Sequence, residues 1–130
     1  MASAQPEDDV RVLFVEDDPS VAQMYKLKLE LDGYAVHVAG DGEAAIQMAT
    51  AGPPDIIFLD IRLPKLDGLA VLEALRADER TKHVPVVILS NYSERELVER
   101  GLKLGALEYL IKSQTTPAKL AGGVENWLKG

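Results

Sequence analysis

Acidic, hydroxyl and ammonium side chains recur at the ends of apolar runs in this chain. Glu16, Asp17 and Asp18 follow VRVLFV, Asp60 follows DIIFL, Ser90 follows VPVVIL and Lys112 follows LEYLI. A carboxylate next to a run as apolar as Ile56–Leu59 is costly to desolvate unless it is paired, bound to metal or used. Glu16, Asp17 and Asp60 would repel one another if they converged, unless a cation lay between them. Oxygen donors without nitrogen or sulfur favour Mg²⁺ with several waters retained, with Mn²⁺ as an alternative. Lys112 adds a second positive charge. A divalent cation, a lysine, a hydroxyl and backbone N–H groups together suit a tetrahedral anion, and phosphoryl is the first candidate. No GxxxxGK[ST] loop is present, so a bound nucleotide is not expected. The anion would sit on Asp60 itself, as an acyl phosphate formed by attack of the carboxylate.

These side chains need a scaffold that brings strand ends to one rim. Short apolar runs at Val10–Val15, Ala35–Ala39, Asp55–Leu59, Val84–Leu89 and Leu107–Ile111 alternate with amphipathic stretches. The first, third and fourth lack strict period-two alternation, as strands covered on both faces do. A helix is expected over Pro19–Asp32, with Val21, Met24, Tyr25 and Leu31 on its inner face, the Lys28 stem snorkelling, and Gly33 as the stop. Asp41 is placed to cap a second helix, Gly42–Ala51, and a third runs over Gly68–Ala77. Ser93 is placed to cap a fourth, Glu94–Leu104, and Pro117 opens a fifth. The order is (βα)₅, which implies right-handed crossovers and an α/β fold with an open, doubly wound parallel sheet of five strands. In such sheets ligands bind outside the carboxyl ends of the strands. Residues 1–9 read as a disordered acidic tail, and residues 10–130 as one domain.

Composition narrows the field. At 130 residues the chain can bury about two-thirds of its unfolded surface. It has no cysteine and only two histidines, His37 and His83, which removes disulfides, thiolate sites and histidine-rich zinc. The net charge of −7 argues against direct contact with nucleic acid or an anionic membrane. The N-terminus has no signal-peptide pattern and no apolar run spans a bilayer, so the expected location is cytoplasmic.

The motifs VLFVEDDPSV, PDIIFLDIRLPKLDG, VPVVILS and GALEYLIK, in that order, resemble the receiver domain of two-component response regulators over about Val10 to Leu128. The resemblance implies a flavodoxin-like fold with strand order 2-1-3-4-5. It implies that Asp60 accepts a phosphoryl group from a histidine kinase or histidine phosphotransfer protein. By the same resemblance Asp17 is a direct Mg²⁺ ligand, Glu16 acts through water, and the Arg62 backbone carbonyl completes the protein's share of the metal shell. Ser90 and Lys112 would contact the phosphoryl group, and Ser90 with Tyr109 would form the switch. Output would pass through the face of the fourth helix, fifth strand and fifth helix to a downstream protein, with the domain a monomer or a phosphorylation-dependent dimer. No DNA-binding module follows the fifth helix, so output is expected through protein contacts or a further domain.

Two positions depart from that pattern. Receivers mostly carry proline after the lysine, often in a cis bond; here Ser113 follows Lys112. Either the loop holds a cis bond costing about 3 kcal/mol, or it runs trans with an altered approach of the lysine. A small residue usually follows the switch hydroxyl; here it is Asn91, then Tyr92. With Arg62 these side chains are expected to rim the phosphoryl pocket and slow the entry of hydrolytic water. Plainer readings apply elsewhere: Asp18 as a helix cap, Trp127 with Leu120, Val124 and Leu128 as packing, and Gly122 and Gly123 as weak points of the last helix. The rival functions are a pseudo-receiver that works without phosphorylation, a haloacid-dehalogenase-type phosphatase and a flavin-binding protein. Phosphatases of that type carry a second acid two residues after the nucleophile, where this chain has Arg62, and the flavin reading rests on fold analogy alone.

Overall fold

Val12, Leu13, Phe14 and Val15 are all buried in strand β1, Arg11–Val15. The computed structural model describes residues 9–129, so the expected tail, apart from Asp9, lies outside the described residues. The strands that follow are β2 (Ala35–Ala39), β3 (Ile56–Leu59), β4 (Val86–Ser90) and β5 (Glu108–Ile111). They alternate with helices α1 (Pro19–Leu31), α2 (Gly42–Ala51), α3 (Gly68–Ala77), α4 (Arg95–Lys103) and α5 (Pro117–Lys129). All pairings are parallel and the sheet order is β2-β1-β3-β4-β5. The five-stranded doubly wound sheet is therefore the one expected. The chain reverses its direction of travel across the sheet between β1 and β3, which is where a cleft for ligands forms.

Side-chain alternation divides the core between the two faces of the sheet. Leu13, Val15, Ile57, Leu59, Val86 and Ile88 pack with Ala45 and Ala49 of α2 and Val71, Leu72 and Leu75 of α3. Val12, Phe14, Ile56, Phe58, Val87 and Leu89 pack on the other face with Tyr25 and Leu29 of α1 and Leu120 and Val124 of α5. Because both faces are covered, β3 and β4 read as unbroken apolar runs.

Asp18 caps α1, accepting from Ser20 N and Val21 N at 2.9 and 3.3 Å, and Asp41 caps α2 through Ala44 N at 2.8 Å. The expected inner face of α1 is corrected in part: Tyr25 is buried with Ala22 and Leu29, and Val21 packs against the same cluster, while Met24 and Leu31 are exposed. Tyr25 stacks on Phe14 with ring centroids 5.1 Å apart, and that contact sets the rotation of the helix. Lys28 reaches out to Asp32 at 3.0 Å. The expected Ser93 cap does not form; Glu94 holds the cap position of α4 without a side-chain bond. Val84 stays outside β4, its N–H donating to Thr81 O in the preceding turn, and the strand runs from Val86 to Ser90. Trp127 packs edge-on against Phe58 at 5.7 Å. Helix α5 continues through both glycines, and Gly123 leaves room for that indole: a Cβ there would lie 2.7 Å from the Trp127 ring. Among the described residues no helix is long and apolar enough to cross a membrane.

Candidate functional site

Register brings the acidic residues together. Val15 pairs with Leu59 across β1 and β3, so the next residues, Glu16 and Asp60, emerge side by side at the carboxyl edge of the sheet. Asp60 N–H donates to Val15 O at 3.2 Å and Glu16 N–H to Ala39 O at 3.0 Å, which extends the ladder one residue beyond each strand. Glu16 and Asp60 are 3% and 6% exposed, whereas Asp17 is open to solvent. One carboxylate oxygen from each of the three lies within 4.8 Å of the others.

Both Asp60 oxygens are engaged. Oδ1 accepts from Ile61 N at 2.7 Å, and Oδ2 accepts from Lys112 Nζ at 2.7 Å. The same ammonium stands 2.5 Å from Glu16 Oε1. That approach is close in charge but not aligned as a hydrogen bond, so Oε1 is a buried oxygen with no directed donor. Glu16 Oε2 accepts from Asp18 N at 3.0 Å. Burial raises the Glu16 carboxyl above its ordinary value, and the contacts with Lys112 and Asp18 only partly offset it. For Lys112, burial would lower the pKa, but the hydrogen bond to Asp60 and the close ionic contact with Glu16 together outweigh it and hold the ammonium above its ordinary value. The two directions are consistent, because one lysine serves two carboxylates while Glu16 is the more deeply buried partner.

This donor set fits a hard divalent cation. The clustered ligand atoms are all oxygens, one of them lacks a directed donor, and Asp17 leaves the cluster open to water. Arg62 lies two residues past Asp60, in a loop closed where Gly68 N–H donates to Ile61 O at 2.7 Å. Within this loop Lys65 holds a φ of 70°, the left-handed region that side chains rarely occupy, and Leu66 N–H donates back to Pro64 O at 2.7 Å.

Ser90 is fully buried, and its Oγ accepts from Tyr92 N at 3.1 Å. The Tyr109 hydroxyl donates to the Tyr92 carbonyl, and burial raises the Tyr109 phenol above its ordinary value. The Arg62 guanidinium lies 4.4 Å over the Tyr92 ring, a cation–π contact that puts two of the three expected rim side chains together. Asn91 instead turns to the neighbouring loop, where its Oδ1 accepts from Ser113 N at 3.0 Å. Among the described residues there is no cis peptide bond, so Lys112–Ser113 runs trans and opens a 3-10 turn, Lys112–Gln114. A groove of about 220 Å³ beside Lys112 is lined by Val21, Met24, Tyr25, Asn91, Ser113 and Thr115. Another, of about 300 Å³, is lined by Arg11, His37, Met48 and Pro54 and holds none of the acidic cluster.

Sequence reasoning named the side chains of the site but not the central part played by the Tyr92 main chain. Its N–H holds Ser90 and its carbonyl holds Tyr109, and backbone groups leave no mark in a pattern of residue types. Nor did it pair Lys112 with Glu16, which it expected to reach the metal through water.

Comparison with known proteins agrees with the fold. Residues 12–122 match the family model of the response regulator receiver domain. The chain is 39% identical over 102 residues to the DNA-binding dual master transcriptional regulator RpaA of Synechocystis, a match covering 78% of this chain and 42% of that protein. It is 44% identical over 102 residues to the transcriptional regulatory protein PrrA of Mycobacterium tuberculosis, covering 78% and 43%. The chain thus spans less than half the length of these curated relatives. Among solved structures, chemotaxis protein CheY4 of Vibrio cholerae superposes with a TM-score of 0.83 at 29% identity, covering 91% of this chain and 98% of that one. The receiver domain of Francisella response regulator 1452 gives 0.84 at 34%, covering 93% and 98%.

Proposed function

The chain belongs to the response regulator receiver domain family, and from that premise we propose that Asp60 is its phosphoacceptor. The donor is a histidine kinase or a histidine phosphotransfer protein, the reaction depends on Mg²⁺, and the domain signals rather than turning over a substrate. The observation that carries this reading is the placement of Asp60: a carboxylate at the switch point of the sheet, in contact with Lys112 and clustered with Glu16 and Asp17.

An Asp60 carboxylate oxygen attacks phosphorus, the P–N bond to the donor imidazole breaks, and the released nitrogen keeps the electron pair and takes up a proton. The Ile61 N–H on Oδ1 fixes the carboxylate rotamer, so little reorganisation is needed at the moment of transfer. Lys112 follows the negative charge from Asp60 onto a phosphoryl oxygen. Asp17, Asp60 and the Arg62 carbonyl would hold Mg²⁺, with Glu16 acting through water, and the ion would supply positive charge against the phosphoryl oxygens.

Ser90 leaves the Tyr92 N–H to donate its hydroxyl proton to the phosphoryl group. The β4–α4 segment then shifts, and Tyr109, tied to the Tyr92 carbonyl, turns inward with it. This alters the face of α4, β5 and α5 presented to a downstream protein. A cytoplasmic setting suits such a partner.

Intact mass after incubation with acetyl phosphate and Mg²⁺ tests the reading. One added phosphoryl group, absent without Mg²⁺ and in Asp60→Asn, is expected. No addition, with failure to bind beryllofluoride, would instead make this a pseudo-receiver.

A further inference from the structure

Asn91 and Ser113 each stand where the family pattern has a different residue, and the fold brings them into contact. Asn91 follows Ser90, the last residue of β4, while Ser113 follows Lys112, the first residue after β5. Ser90 and Ile111 are register partners across these strands, so the two following loops start side by side. Ser113 N–H is one of the first donors of the 3-10 turn Lys112–Gln114, a position with no partner inside the turn. Ile111, which precedes the turn, provides no side-chain cap. Asn91 Oδ1 takes that donor at 3.0 Å from the other loop. An N–H can only donate, so the amide oxygen of Asn91 must be the atom facing it.

From this geometry we infer that Asn91 is a positioning residue for Lys112: it caps the Lys112 turn in trans and so holds the ammonium at Asp60 and Glu16. The far side of the turn is anchored separately, by Thr115 N–H to Lys112 O at 3.1 Å and Thr115 Oγ1 to Ile111 O at 2.9 Å. Asn91 is the anchor on the near side. A serine with a free N–H and a side-chain acceptor across the loop do together what a proline does by restricting the chain. Because Asn91 sits between Ser90 and Tyr92, the same bond couples the switch loop to the lysine loop.

The inference rests on the phosphoacceptor reading for its consequence but not for its test. The full chain, labelled with ¹⁵N, is compared as wild type, Asn91→Ala, Asn91→Leu and Asn91→Asp, the last of which keeps an acceptor oxygen. In the wild type the Ser113 amide exchanges slowly and the Lys112 Nζ signal is observable, because Glu16 and Asp60 restrain the ammonium. Both features are lost in Asn91→Ala and Asn91→Leu and return in Asn91→Asp, while the rest of the spectrum stays native. The rate of labelling by acetyl phosphate falls roughly two- to tenfold in Asn91→Ala, the range expected for loss of a capping bond. That fall is absent when Lys112→Ala is already in place. An unchanged Lys112 Nζ signal in Asn91→Ala, or an equal fall with and without Lys112, would overturn the inference. A wild type that takes no label would count against the phosphoacceptor reading, while the Nζ and amide signals would still decide the role of Asn91.

Discussion

The main chain of Gly68 lies directly against that of Asp60: a Cβ on Gly68 would stand 2.0 Å from the Asp60 carbonyl oxygen and 2.8 Å from Ile61 Cα. The atoms in the way are backbone at the end of β3, and they cannot swing aside as a side-chain tip can. Gly68→Ala is therefore expected to lower stability by about 1–3 kcal/mol through overpacking. It also displaces Asp60 from Lys112, so labelling by acetyl phosphate slows by more than the stability loss accounts for. Urea unfolding, with labelling rates measured where the variant is fully folded, checks both.

Lys112 neutralises two carboxylates, one of them deeply buried, and only 17% of its side chain is exposed. Lys112→Met leaves Glu16 and Asp60 facing each other without a cation. We expect a loss of about 1–3 kcal/mol at neutral pH, the cost of leaving a buried charged group unpaired at a partly wet site. Added Mg²⁺ restores much of it in the variant, because the ion takes over the screening. Urea midpoints with and without Mg²⁺ decide the matter; equal losses under both conditions would mean that the acidic cluster does not hold the ion.

The raised pKa of Lys112 has a definite sign for stability. The folded protein holds this proton more tightly than the unfolded chain, whose lysine titrates near 10.5. Its contribution is fully present below that pH and disappears as pH rises through the folded value. Tyr25 and Tyr109 act in the same direction above 10.0, since burial keeps both phenols protonated in the fold. Stability is thus expected to fall from about pH 10 upward. The fall is shallower in Lys112→Met, which has already lost its share. Urea midpoints measured from neutral pH to beyond 10.5 give the slope, and identical slopes in the two proteins would contradict the assignment.

Arg62 stacks over the Tyr92 ring, and in the proposed reading the pair rims the phosphoryl pocket. Replacing both with alanine is expected to speed loss of the phosphoryl group roughly two- to fivefold, the equivalent of ~0.5–1 kcal/mol for an exposed cation–π contact. The decay of the labelled mass after the donor is removed measures this. An unchanged decay would show that water already reaches Asp60 freely.

Much of this was legible in the chain because strand ends are a local property. A four- or five-residue apolar run places the next residue at the sheet edge, so Glu16, Asp60 and Lys112 could be assigned to one rim from order alone. Helix faces were less legible. The inward side of α1 depends on Tyr25 meeting Phe14, a contact between elements, and the periodicity allowed Met24 and Leu31 equally well. Gly101, placed inside α4 where glycine is unfavourable, gave no hint of its reason. In the fold a Cβ there would come within 2.5 Å of Ile88 Cδ1.

The sequence by itself determined the (βα)₅ order, the parallel sheet and the acidic, hydroxyl and ammonium groups at its carboxyl edge. All of these follow from hydrophobic periodicity and from what comes immediately after each run. Only the tertiary structure decided that Lys112 bridges Glu16 and Asp60, that the Tyr92 main chain holds both Ser90 and Tyr109, and that Asn91 caps the Lys112 turn. Asn91 and Ser113 are 22 residues apart, and Lys112 and Asp60 are 52 apart. Contacts at such separations depend on strand register and on main-chain donors and acceptors. Every residue but proline carries both groups, so they acquire partners only once the chain is folded.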